Sequence, residues 1–282
     1  MGMSNQSVLY CEGFFPSENR WLFYRYWQQN SDAKGDIIGI HGALDHSGRY
    51  KKIGKSLAEK GYNFYVFDLA GYGRSEGKRG FVNQLEDYLV DVGNFYAFLR
   101  EFKDMKNPFI LGHNMGALLA ILFTQLGQCF VKGNILCSPL FHMKNQPSIW
   151  KKVMAKFSNI ALPKFAVDYK IDVENLSNDP NVGHEYSLDP FIHEKVTARW
   201  LCELYKTMKQ VQSKKYMIQT PTLIMQGDGD TTSDVAATKS FFAGLRCKKE
   251  FFLIRHAKHE ILNEIANDKI IGKMLAWTED NL

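Results

Sequence analysis

Apolar and polar positions along the chain change period in a regular way. Residues 37–40 are a short apolar run that stops at His41-Gly42, and residues 62–67 are a second, aromatic and β-branched, that stops at Asp68. Both predict buried strands. Between Val82 and Phe102 the apolar residues Leu85, Tyr88, Leu89, Val92, Phe95, Tyr96 and Leu99 recur at three- and four-residue spacings, which predicts an amphipathic helix. A strand at 108–111, a helix at 115–126 and a strand at 134–137 closed by Ser138-Pro139 continue the alternation.

The rhythm then stops. From 141 to 211 helical patterns are broken by Pro147, Pro163, Pro180 and Pro190, with no convincing strand between them. A strand at 221–226, a helix at 235–245, a strand at 250–254 and a closing helix at 261–277 resume it. The expectation is an α/β fold: one mostly parallel sheet with helices on both faces, interrupted by a helical lid. The division is 1–140 for the first part of the core, 141–211 for the lid and 212–282 for the second part. Within the lid Ile149, Val153, Met154, Phe157, Ile160 and Leu162 alternate with Lys151, Lys152, Lys156 and Lys164. That pattern fits either a basic amphipathic surface resting on a membrane or a helix packed on the core with solvated lysines.

Composition narrows the function. The 282 residues are 45% hydrophobic and 23% charged, a globular balance. The net charge of +5 is mild, and no basic motif points to nucleic acid. Cys11, Cys129, Cys137, Cys202 and Cys247 stand singly, without zinc-site or disulfide spacing, and the first ten residues hold no apolar signal core. A cytoplasmic protein, in peripheral contact with membrane if the lid serves that purpose, is expected.

In a parallel sheet ligands bind beyond the carboxyl ends of the strands, so the loops there carry the chemistry. Gly112-His113-Asn114-Met115-Gly116 lies between a strand and a helix, as the nucleophile elbow G-x-S-x-G does. Its glycines let strand and helix backbones approach closely, and asparagine tolerates unusual backbone angles. Gly227-Asp228-Gly229-Asp230 follows a late strand, and His256 and His259 precede the closing helix.

The segment from His41 to Tyr50, HGALDHSGRY, resembles the HGxxEHSGRY segment of monoacylglycerol lipases and bacterial lysophospholipases. Asp68 to Gly77, DLAGYGRSEG, is similar to their D-x-x-GHGxSEG segment, and Gly112 to Gly116 to their GHSMG elbow. The likeness runs from about Tyr24 to Leu262, including Ala161-Leu162-Pro163 and Asp189-Pro190. It implies the α/β-hydrolase fold, an acyl-lipid or small-ester ligand, no cofactor and no metal. Position 114 becomes the nucleophile position, Asp230 the triad acid and His259 the base. The backbone N–H groups of Ala43 and Met115 become the oxyanion hole. Asp228 is then a turn residue, Asp234 a helix-start residue, His256 a solvated loop histidine, and His41, His46, His113 and Ser138 structural.

Relatives have serine where this chain has Asn114. An amide oxygen is a poor nucleophile and the amide nitrogen's lone pair is delocalised, so no acyl-enzyme should form. Three readings follow: a recent or deliberate replacement in a working ester hydrolase, a natural pseudoenzyme that binds lipid or a protein partner, or an aspartate nucleophile produced by deamidation. Deamidation is slow before a bulky residue such as Met115, which disfavours the third. Retained Asp230 and His259 favour the first.

Overall fold

The computed structural model describes residues 8–29, 33–144, 159–169, 171–265 and 267–282. Eight strands form the main sheet: β1 (Val8–Ser17), β2 (Arg20–Gln29), β3 (Gly35–Ile40), β4 (Tyr62–Phe67), β5 (Phe109–His113), β6 (Gly133–Cys137), β9 (Thr222–Gly227) and β10 (Lys249–Ile254). Their spatial order is β1-β2-β4-β3-β5-β6-β9-β10. The first two pairings are antiparallel and all others parallel.

Side chains alternate across the parallel strands, and each face feeds its own core. Ile37, Tyr62, Phe64, Val66, Phe109, Leu111, Ile135, Leu223 and Met225 pack on one side with helices α1 (Lys51–Glu59) and α7 (Asn267–Glu279). Ile38, Ile40, Tyr65, Phe67, Ile110, Leu136 and Ile224 pack on the other with α2 (Asp87–Phe102), α3 (Met115–Leu126) and Phe241 of α6 (Val235–Gly244). The expected mostly parallel sheet with helices on both faces is what the chain adopts.

Several elements differ from expectation. The helix expected from Val82 starts at Asp87; Val82 and Leu85 are buried in the turns before it. The closing helix is two pieces, a short 3-10 turn at Ile261–Asn263 and then α7. Glu264 separates them and spends its carboxylate on the backbone N–H groups of Lys258 and Asn178. The interval 141–211 does contain strands: β7 (Ala166–Asp168) and β8 (Lys195–Thr197) form a short antiparallel pair. Helix α4 (Pro180–Leu188) lies between them, started by Asp179 as its cap and Pro180 in its first turn.

Helix α5 (Ala198–Ser213) follows β8 and crosses the boundary expected at 211. Its apolar face, Trp200, Leu204, Met208 and Val211, joins the same core as α3. Ile149, Val153, Met154, Phe157, Lys151, Lys152 and Lys156 lie outside the described residues. Ile160 and Leu162 are described and exposed. Among the described residues no helix is long and apolar enough to cross a membrane.

Candidate active site

The carboxyl ends of β3, β5, β6, β9 and β10 deliver the predicted residues to one place. Asn114 sits between β5 and α3 at φ 51° and ψ −114°, a conformation that few side chains adopt. Its backbone N–H donates to the Cys137 carbonyl, and its own carbonyl accepts from Leu140. The elbow is thus pinned to the end of β6. The glycines are required by contact. A Cβ at Gly112 would run into the Gly116 carbonyl oxygen, and one at Gly116 into the carbonyl oxygens of Ile40 and His41.

The Asn114 side chain is buried, and both its oxygen and its nitrogen are hydrogen-bonded. Its Oδ1 accepts from the backbone N–H of Met115 at 2.7 Å and of Ala43 at 3.3 Å. Its Nδ2 lies 3.0 Å from His259 Nε2. Two N–H donors on one end fix which atom is oxygen, so Nδ2 donates and Nε2 accepts. The imidazole proton therefore sits on Nδ1, which donates to the Asp230 carboxylate, 3.0 Å from either oxygen.

Asp230 is held in turn by the backbone N–H groups of Thr232 and Ser233, each at 2.9 Å, and by Gln226 Nε2 at 3.0 Å. Burial would raise its carboxyl, but His259 and these donors outweigh it and hold the pKa below the ordinary carboxylate value. Burial would likewise lower the His259 imidazole, and the Asp230 charge and hydrogen bond win, leaving it above its ordinary value. Ser138 Oγ donates to the His259 carbonyl at 2.6 Å and so anchors that loop to β6.

The remaining candidates fall into supporting positions. His41 Nε2 accepts from the backbone of Leu69, and His46 Nδ1 from that of Gly48. His256 is exposed, with its backbone N–H on Asp228. Asp234 caps α6 through the N–H groups of Ala236 and Ala237. His113 packs its ring 5.1 Å from that of His259. Among the described residues no group of three His, Cys, Asp or Glu side chains could hold a metal ion.

A buried ionic cluster that no motif announces stands beside the site. Arg49 reaches Glu260 at 2.8 Å and Asp45 at 3.3 Å, Asp45 accepts from the Tyr50 hydroxyl, and His113 faces it at 3.8 Å. Asp45 and Arg49 belong to the HGALDHSGRY segment, so their four-residue spacing was visible; Glu260, beside His259, was not linked to them. Asp68 was also passed over. It accepts from the backbones of Ser47 and Arg74 and holds two loops together. The insertion touches the Ala43 loop directly, through Tyr186 Oη donating to the Leu44 carbonyl and His46 Nε2 facing Asp189 at 2.8 Å.

Comparison with known proteins gives the family and the fold. Residues 31–266 match the family described as "Serine aminopeptidase, S33". A monoglyceride lipase homolog of Monkeypox virus is 29% identical over 89% of this chain and 90% of its own length. The rat monoglyceride lipase is 26% identical over 94% and 89%. Crystal structures of the monoacylglycerol lipase of Paleococcus ferrophilus and of a soluble monoglyceride lipase variant from Saccharomyces cerevisiae superpose with TM-scores of 0.83 and 0.85. Their identities are 23% and 20%; the first alignment covers 93% of this chain and 99% of the other, the second 95% and 94%. The chain belongs to the serine aminopeptidase S33 family, and within it to the monoacylglycerol lipase type of α/β-hydrolase.

Proposed function

We propose that this chain holds an acyl-ester site of the monoacylglycerol lipase type in which an amide stands at the nucleophile position. With asparagine at 114 it binds single-chain acyl lipids or small esters without turning them over, and with serine there it is a carboxylic ester hydrolase. The observation that carries this reading is the single chain of contacts from Asn114 Nδ2 to His259 to Asp230, closed by two backbone N–H groups on Oδ1.

Each part has a role in ester hydrolysis. His259 would take the proton of a serine at 114 as its oxygen attacks the ester carbonyl, and Asp230 would keep the imidazole in the right tautomer. The N–H groups of Ala43 and Met115 would receive the developing oxyanion. Without the hydroxyl the loss in rate is about 10⁶-fold, the scale measured when a triad nucleophile is removed. The reaction needs no cofactor, because these groups supply the proton transfers and the charge stabilisation. The monoglyceride lipases among the relatives support an acyl-glycerol ligand. The insertion expected at 141–211, as far as the start of α5, is proposed as its lid, and the exposed Ile160, Leu162, Phe165 and Leu188 support peripheral membrane contact there. Five free cysteines support a cytoplasmic location.

Assaying the chain and its Asn114→Ser variant against a series of p-nitrophenyl acyl esters tests the reading. Hydrolysis is expected from the serine variant alone. Silence in both, with the variant folded, would reject the hydrolase site and leave a binding protein.

A further inference from the structure

The Asn114 side chain is held as a substrate of this site would be. It is itself an acyl group, with a carbonyl carbon, a carbonyl oxygen and a nitrogen leaving group. The oxygen receives both N–H groups, and the nitrogen rests on the imidazole 3.0 Å away. We propose that the site hydrolyses its own Asn114 to aspartate, a self-directed deamidation that needs only water. The proposal rests on the reading of His259 as base and of Ala43 and Met115 as an oxyanion hole.

The step balances without a further reactant. Nδ2–H first gives up its bond to His259 Nε2; water then adds to Cγ, its proton passes to the freed Nε2, and the carbonyl electrons move onto Oδ1 between the two N–H donors. Collapse re-forms the C=O bond and breaks Cγ–Nδ2. The proton returns from His259 to the departing nitrogen, ammonia leaves a carboxylic acid at 114, and the acid's proton passes to the ammonia, giving ammonium and a carboxylate. That carboxylate keeps the two N–H groups on one oxygen and presents the other to His259.

The route differs from ordinary asparagine deamidation, in which the next residue's backbone nitrogen attacks Cγ. Met115 is bulky, its N–H is committed to Oδ1, and it opens α3. The size of that neighbour governs ring closure; it has no bearing on attack by water through the imidazole. Hydrolysis by water gives aspartate carrying one solvent oxygen, whereas ring opening also gives isoaspartate.

The test follows the peptide containing residue 114 by mass spectrometry while the protein stands in heavy-oxygen water at neutral pH. Folded wild-type protein is expected to gain labelled aspartate, free of isoaspartate, at least ~100-fold faster than His259→Ala or urea-unfolded wild type, the lower scale of general-base assistance. Asp230→Asn, checked for native circular dichroism, should slow it as well by upsetting the tautomer. Equal rates in the folded wild type and the unfolded chain, or an isoaspartate mixture, would overturn the proposal. The esterase assay separates the two readings. A stable Asn114 alongside an active serine variant removes self-deamidation alone; labelled aspartate alongside a silent serine variant removes the lipase reading alone.

Discussion

At residue 114 an asparagine satisfies every polar atom that the site offers it, and this is why the substitution folds. The elbow conformation costs on the order of 1–3 kcal/mol, and three side-chain hydrogen bonds plus three backbone ones hold the residue in place. His259 carries a consequence for pH. The groups that raise its pKa, led by Asp230 once burial has acted in the opposite direction, do not include Asn114. The shift should therefore persist in Asn114→Ser, whose kcat/KM is expected to rise through a pKa above the ordinary value of about 6.5. A pH–rate profile of that variant checks this, and a midpoint below 6.5 would contradict it. Linkage fixes the sign for stability. Asp230, depressed, contributes above the ordinary carboxylate range and loses its contribution as pH falls through its folded pKa. His259, raised, contributes below its ordinary range and loses its contribution as pH rises through its folded pKa. The pair therefore stabilises most between about pH 4 and about 6.5.

At the scale of elements, the elbow shows how closely two backbones must meet for the site to form. Gly116 faces the carbonyl oxygens at the end of β3, which cannot move without disturbing the sheet. Gly116→Ala is expected to destabilise by about 1–3 kcal/mol, as overpacking does, and to lower any esterase activity of Asn114→Ser; urea unfolding and the ester assay measure the two effects. Elements with strong local signals were legible from the chain alone. α3 begins and ends at the expected residues because the elbow precedes it and Gly127 in the left-handed conformation ends it. β4 matches because its apolar run is short and bounded. The β1–β2 hairpin was not assigned, since Trp21 to Trp27 is a nearly continuous aromatic run with no clean alternation. α1 went unassigned too: it is nine residues long, turns only four of them inward, and has no side-chain cap. In the site, the short loops were legible as motifs. The Arg49–Glu260 pair and the Ser138–His259 anchor were not, because sequence spacing says nothing of which distant loops share a sheet edge.

For the whole molecule, the division of labour between sheet and insertion turns on α5. The expected lid would include most of this helix, yet Trp200, Leu204, Met208 and Val211 are buried in the core that also holds α2 and α3. The described segment before it has its own small cluster, Leu176, Val182 and Tyr186, and meets the Ala43 loop by hydrogen bonds. A helix anchored in the main core and leading directly back to β9 should unfold with the sheet, while a lid should loosen separately. Trp200 is a clean probe. It is fully buried, with its ring 5.6 Å from that of Tyr169, so truncation empties the packed face of α5. Trp200→Ala is expected to cost about 3–5 kcal/mol and to lower the midpoint of one cooperative urea transition followed by far-ultraviolet circular dichroism. An unchanged midpoint, with faster hydrogen exchange confined to residues 159–213, would instead place α5 in the lid.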